Sequence, residues 1–268
     1  MSDERRPRRF ERYVALGDSS TEGLDDPDGA GGYRGWANRF AEHVAAAQGS
    51  LLYANLAVRG RRTRRVREEQ LPPALAMRPD LATVFAGTND AVQPGFDARA
   101  VAADIEHMQR ALVESGATVL TITLPDLAPV MPLARIVSRR VLELNAALRT
   151  VSARTGAILV DLAAHQMASD PRLWAEDRLH ANSLGHARIA AALAYAVQLP
   201  GSDESWTHPL PATPPRTIGE RLAIEADWVR RFFLPWVWRH ARGRSSGDGR
   251  EPKRPTLQPM IPGPREPA

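Results

Sequence analysis

The chain has 268 residues, 35 basic and 31 acidic, for a net charge of +4, and 43% of it is hydrophobic, enough to bury a core and to exclude wholesale disorder. All but one of the basic residues are arginine, Lys253 being the only lysine. The absence of cysteine excludes a disulfide framework, a thiolate nucleophile and zinc–cysteine or iron–sulfur ligation.

The charged opening MSDERRPRRF, residues 1–10, reads as an arm without the apolar core of a secretory signal. No run reaches the roughly 18 uncharged apolar residues of a membrane span, so a soluble cytoplasmic protein is expected. Strand-length apolar runs then follow at Tyr13 to Leu16, Leu51 to Val58, Leu81 to Ala86, Ala117 to Leu124 and Ala157 to Leu162. Most lack strict alternation, which suits strands covered on both faces, as in a parallel sheet. Helical patterns lie between and after them at Tyr33 to Gln48, Asp97 to Glu114, Leu133 to Thr155 and Leu184 to Val197. This alternation predicts a three-layer α/β/α doubly wound domain over residues 11–199, with a mostly parallel five-stranded sheet. In such sheets ligands sit at the carboxyl ends of the strands.

Composition changes at Pro200: the last 69 residues hold 12 of the 22 prolines and 4 of the 6 tryptophans. Residues 200–216 read as a Pro-rich linker and 217–240 as an amphipathic aromatic helix kinked at Pro235. Residues 241–268 form a basic, Pro-rich tail, expected either to be disordered or to lie across the domain. Between Arg230 and Arg254 eight basic residues face Asp248 and Glu251, giving this stretch +6. With Phe232, Phe233, Trp236 and Trp238 it suits either contact with anionic headgroups or docking back onto the domain.

The residues that follow the strand runs carry the chemistry. The first run ends in Gly17-Asp18-Ser19, and a serine at a strand's carboxyl edge needs a base and a group to orient that base. Asp177-Arg178-Leu179-His180 supplies both just before the last helix, which Asn182 or Ser183 would cap. The second run leads to Gly60, whose N–H can be approached closely, and the third to Gly87-Thr88-Asn89-Asp90, which brings the Asn89 amide to the same edge. These are the kinds of donor an oxyanion requires.

In their order, Gly-Asp-Ser at 17 to 19, Gly60, Gly-Thr-Asn-Asp at 87 to 90 and Asp-x-x-His at 177 to 180 resemble the four blocks of the SGNH, or GDSL-type, hydrolases, over about residues 11 to 199. The resemblance implies a flavodoxin-like fold and ester hydrolysis without a metal or organic cofactor, on a small-molecule ester substrate. It implies Ser19 as nucleophile, His180 as base and Asp177 as its partner. The Ser19 N–H, Gly60 N–H and Asn89 amide would form the oxyanion hole. Ser20 departs from the pattern, because a hydrophobic residue commonly follows the serine in this family.

Other features are set aside. Gly243-Arg244-Ser245-Ser246-Gly247 matches a nucleophile-elbow pattern but lacks the strand, helix and downstream histidine that an elbow needs. The glycines from Gly29 to Gly35 miss a dinucleotide fingerprint, and Asp25, Asp26 and Asp28 read as a solvated loop. His186, six residues beyond His180, is expected to face away from the site. The six arginines between Arg59 and Arg67 read as a solvated helix face paired in part with Glu68 and Glu69, the alternative being an anion-attracting rim. With so small a net charge and no nucleic-acid motif, nucleic acid is not the expected partner. Two alternative functions fit the same sequence: an acyltransferase using the same triad, or a catalytically silent peripheral membrane or scaffold protein acting through its basic aromatic tail.

Overall fold

Five short runs rich in β-branched, aromatic and other apolar residues form parallel strands: β1 (Arg12–Gly17), β2 (Leu52–Asn55), β3 (Leu81–Phe85), β4 (Thr118–Ile122) and β5 (Ile158–Val160). Tyr13, Val14, Ala15 and Leu16 are all buried, as expected of a strand covered on both faces. The computed structural model describes residues 9–131, 134–214, 217–235, 238 and 246–260. The helices are α1 (Ser19–Glu22), α2 (Gly35–Gln48), α3 (Thr63–Ala76), α4 (Thr88–Ala91), α5 (Ala98–Glu114), α6 (Arg135–Thr155), α7 (Ser183–Ala196) and α8 (Ile218–Trp228). α2 packs on α7, while α3, α5 and α6 pack in sequence on one another, giving the three layers expected.

The strand order is β5-β4-β3-β1-β2-β6. The sheet therefore has six strands and not the five that the sequence predicts. The sixth, β6 (Arg254–Pro259), lies in the Pro-rich tail and runs antiparallel to β2. Prolines hid it, yet an edge strand tolerates proline where its backbone N–H would face outward. Met260 then donates its N–H to the Leu51 carbonyl and buries its side chain.

Two other differences have local causes. β2 stops at Asn55, short of Val58, because the Asn55 side chain takes over the backbone: Nδ2 donates to the Thr21 carbonyl and the Tyr53 hydroxyl, and Oδ1 accepts from the Ala57 N–H. α3 carries Pro72 and Pro73 inside it, which is why proline alone misleads there. In the aromatic segment, Thr217 and Glu220 close a reciprocal capping box on α8, and the helix then widens to a π turn over Val229–Phe233, ahead of Pro235. Most of the N-terminal arm, residues 236–237 and 261–268, and the Ser245 pattern lie outside the described residues. Among the described residues, no helix is long and apolar enough to cross a membrane.

Candidate active site

β1 delivers Ser19 to the carboxyl edge of the sheet through a turn built for small residues. A Cβ on Gly17 would stand 2.2 Å from the Thr21 hydroxyl and 2.5 Å from the Phe85 carbonyl, so the strand can leave the sheet only as glycine. Gln70 from α3 pins that glycine by accepting from its N–H and donating to its carbonyl. Asp18 caps α1 by accepting from the Ser20 N–H. Ser19 opens α1, where a backbone N–H has no intrahelical acceptor. Gly23 ends α1 at φ +97 and meets Gly35 almost backbone to backbone.

The turn before α7 brings His180 to that serine. Asp177 Oδ1 accepts from the N–H groups of Leu179 and His180, folding the four residues into a tight turn with Arg178 at φ +60. Asp177 Oδ2 then lies 2.6 Å from His180 Nδ1, and His180 Nε2 lies 2.7 Å from Ser19 Oγ. Asn182 caps α7 on the Gly185 N–H and fixes the exit from this turn. Burial pushes His180 towards neutrality, but its bonds to Asp177 and Asp25 outweigh burial and lift it to about 9. Burial would raise Asp177, and His180 holds it below the usual carboxylate range.

Two loops complete the edge. Gly60 adopts φ +74, and Arg59 before it is anchored through its N–H to Glu22 of α1 at 2.7 Å and through its guanidinium to the same carboxylate. Asn89, in α4, donates from Nδ2 to Asp18 Oδ2 and to the Arg61 carbonyl, both at 3.0 Å. Asp90 accepts from the N–H and hydroxyl of Thr63, tying α4 to the start of α3. Asp18 is buried, which pushes its carboxyl up to about 7 against the bonds it accepts. Ser19, Gly60, Asn89, Asp177 and His180 thus stand on turns and short helices beyond the carboxyl ends of the strands, though Asn89 is turned to Asp18.

Sequence reasoning missed the partners of Asp25, Asp26 and Trp228, while His186 faces away from the site as expected. Asp25 is solvent-exposed as expected, yet it adopts φ +64 and reaches within 3.4 Å of His180 Nδ1. Asp26 is buried and takes the Arg39 guanidinium of α2 at 2.7 and 2.9 Å. His186 is buried: Nδ1 accepts from the Trp36 N–H, Nε2–H donates to the Leu24 carbonyl, and burial lowers it to about 4. Trp228 of α8 donates its indole N–H to the backbone carbonyl of Asp177 at 3.1 Å. Only spacing was legible in these residues, and spacing does not show a loop folding back. Among the described residues, Asp25, Asp177 and His180 form the one cluster whose ligand atoms all lie within 4.8 Å of one another. A cation there would compete for the nitrogen that Asp177 holds.

The arginine run resolves as the paired face. Arg59 is held by Glu22, Arg61 and Arg65 by Glu69, Arg64 by Glu68 and Arg67 by Asp104. An apolar recess is walled by Trp36, Phe85, Ile122, Leu173 and Ile189. Ser20 and Ala181, the residues directly after Ser19 and His180, complete it.

Residues 15–188 match the model of the GDSL-like Lipase/Acylhydrolase family. No curated protein matches the chain in sequence. Among solved structures, a lipase/acylhydrolase from Enterococcus faecalis is 21% identical with a TM-score of 0.59, covering 75% of this chain and 100% of its own. Axe2, an acetylxylan esterase from Geobacillus stearothermophilus, is 16% identical at a TM-score of 0.61, covering 75% and 98%. The psychrotrophic esterase EstA from Pseudoalteromonas sp. is 15% identical at a TM-score of 0.56, covering 70% and 97%.

Proposed function

Because the chain belongs to the GDSL-like lipase/acylhydrolase family, we propose that it hydrolyses carboxylic esters through an acyl-enzyme formed on Ser19. What supports this most is the pair of short contacts that joins Asp177, His180 and Ser19 in one line. Neutral His180 takes the Ser19 proton on Nε2 as Oγ attacks the ester carbonyl carbon, and the Asp177 carboxylate stabilises the imidazolium that results. The carbonyl oxygen becomes an oxyanion facing the Ser19 and Gly60 N–H groups. Asn89 joins them by exchanging a present acceptor for that oxygen. Collapse breaks the bond to the alcohol, which leaves with the proton from His180. Water then attacks the acyl group, giving its proton to His180, and the acid departs as Ser19 recovers its hydrogen.

The recess behind Ser20 supports an apolar acyl group as part of the substrate. The direct test is labelling with a fluorophosphonate, peptide mapping of the adduct, and turnover of a p-nitrophenyl ester series by wild type and Ser19→Ala. An adduct on Ser19 with turnover abolished in the variant is expected, and an adduct elsewhere would overturn the assignment.

Exposed Leu234 and Trp238, in the same segment as Arg230 and Arg231, support contact with an anionic membrane through 230–254 as a second property of the chain. Salt-sensitive co-sedimentation with anionic vesicles, weakened in Trp238→Ala, is expected. Absence of binding would leave the segment as cover for the domain.

A further inference from the structure

The family match ends at residue 188, and the solved structures cover about three quarters of the chain or less. Yet the segment beyond the last helix of the hydrolase fold reaches both halves of the site. At the acid–base turn, buried Trp228 donates to the Asp177 carbonyl, and the Arg178 guanidinium lies 5.0 Å from the indole ring. Glu225 of the same helix takes that guanidinium at 2.8 Å. Arg178 stands at φ +60, a conformation that a residue with a side chain keeps only when its surroundings hold it. α8 thus holds the one residue between Asp177 and the rest of the turn that would relax most readily.

At the oxyanion loop, the turn at residues 246–249 lies directly on the backbone before Gly60. A Cβ on Gly247 would stand 2.0 Å from the Arg59 carbonyl oxygen and 3.4 Å from the Val58 side chain. Lys253 donates to the carbonyls of Tyr33 and Arg34 at 2.7 and 2.9 Å, and the Arg254 guanidinium lies 5.2 Å from the Tyr53 ring. β6 then seals the turn to β2.

We propose that two contacts from beyond the hydrolase fold are working parts of the active site, Trp228 of α8 positioning the Asp177–His180 turn and the turn at residues 246–249, through Gly247, positioning the loop that carries Gly60. The proposal rests on the ester-hydrolase function above. A backbone shift of an ångström at either loop is enough to lower turnover by about a hundredfold, so contacts of this kind act on rate as well as on stability.

The test uses the full chain. Trp228→Phe keeps an aromatic ring beside Arg178 and removes the N–H donor together with part of the ring volume, so the pH–rate limb, which lost packing alone would not move, is the deciding readout. With p-nitrophenyl acetate its kcat falls about five- to tenfold, the loss expected of one hydrogen bond, while KM stays near that of wild type. His180 is faced by Asp177, Asp25 and Ser19, with Asp18 and His186 further off. Loosening Asp177 weakens the support for the charged imidazole, so the acid limb of the pH–rate profile moves to lower pH. Gly247→Ala lowers kcat about tenfold or more through the displaced oxyanion loop and leaves that limb in place. Leu222→Ala, on an exposed face of α8, changes neither. Should Trp228→Phe fail to fold, Glu225→Gln at the partly exposed ion pair gives a smaller shift of the limb in the same direction. Folded Trp228→Phe or Glu225→Gln with an unmoved limb, and Gly247→Ala with normal kcat, would overturn the proposal. Wild type that neither reacts with the fluorophosphonate nor turns over ester would instead overturn the function on which it rests.

Discussion

Asn89 gives one hydrogen of its side-chain amide to the Asp18 carboxylate and the other to the Arg61 carbonyl, each at 3.0 Å. Its position is thereby set before substrate arrives, by the residue that precedes the nucleophile. Stabilisation of an oxyanion by this amide requires one of the two bonds to be exchanged. Asn89→Ala is expected to lower kcat about a hundredfold to a thousandfold with a much smaller change in KM. Steady-state kinetics on a soluble ester check this, and near-normal turnover would remove Asn89 from the mechanism.

Catalysis needs His180 neutral, and two carboxylates lift it to about 9. Activity should therefore rise with pH through the neutral range towards that value. Asp25→Asn removes the carboxylate 3.4 Å from Nδ1, so the acid limb should move to lower pH while Asp177 keeps the ring oriented. Asp177→Asn should instead cost most of the turnover, because orientation and charge are lost together. A pH–rate profile of Asp25→Asn that overlays wild type would show that the second carboxylate has no influence.

Ser20, directly after Ser19, lines the apolar recess, and its hydroxyl accepts from the Trp36 indole at 3.3 Å. Ser20→Leu fills part of that space with apolar volume. The variant should lose activity on longer p-nitrophenyl esters and keep it on the acetate, shifting the chain-length optimum downward. An unchanged profile would place the acyl chain elsewhere.

His186 makes folding sensitive to acid. Burial lowers it to about 4, below its ordinary 6.5, so between these values the unfolded chain binds a proton that the folded chain refuses. Its contribution is present above pH 6.5 and is lost as pH falls towards 4, roughly 3 kcal/mol in all. His180 has the opposite sign: its raised value stabilises the fold below pH 6.5, an effect lost as pH rises through about 9. Chemical denaturation across pH 4 to 9 should show a steeper acid decline in wild type than in His186→Asn. Equal slopes would assign the acid sensitivity to other groups.

The parallel sheet and the convergence of the four sequence blocks on one edge were legible because each rests on a local rule. An apolar run of strand length marks a buried strand, and the glycine, serine and asparagine that follow such runs, with Asp-x-x-His ahead of α7, mark the edge where the candidate residues gather. Asp26 and Asp25 were not legible, because adjacent acids in a glycine-rich loop look alike until the loop folds back and sends one to Arg39 and the other to His180. β6 was hidden for another reason. Its prolines resemble those of a linker, and only the unpaired edge of β2 makes RPTLQP a strand. Trp228 reads as one more aromatic of an amphipathic helix, since nothing in the sequence around it names the carbonyl it meets.

β6 also imposes an order on biosynthesis. β2 is made some 200 residues before the strand that covers it, so during translation its backbone stands open to any other chain with an extended segment. A ribosome-bound intermediate with β1 to β5 already paired would have Ser19, Asp177 and His180 in hand, but the loop at Arg59 would still lack the turn that lies against it. Closing the sheet and backing that loop are then one event, reached only when residues 246–260 emerge, so a nascent chain acquires its protected edge and its finished site together.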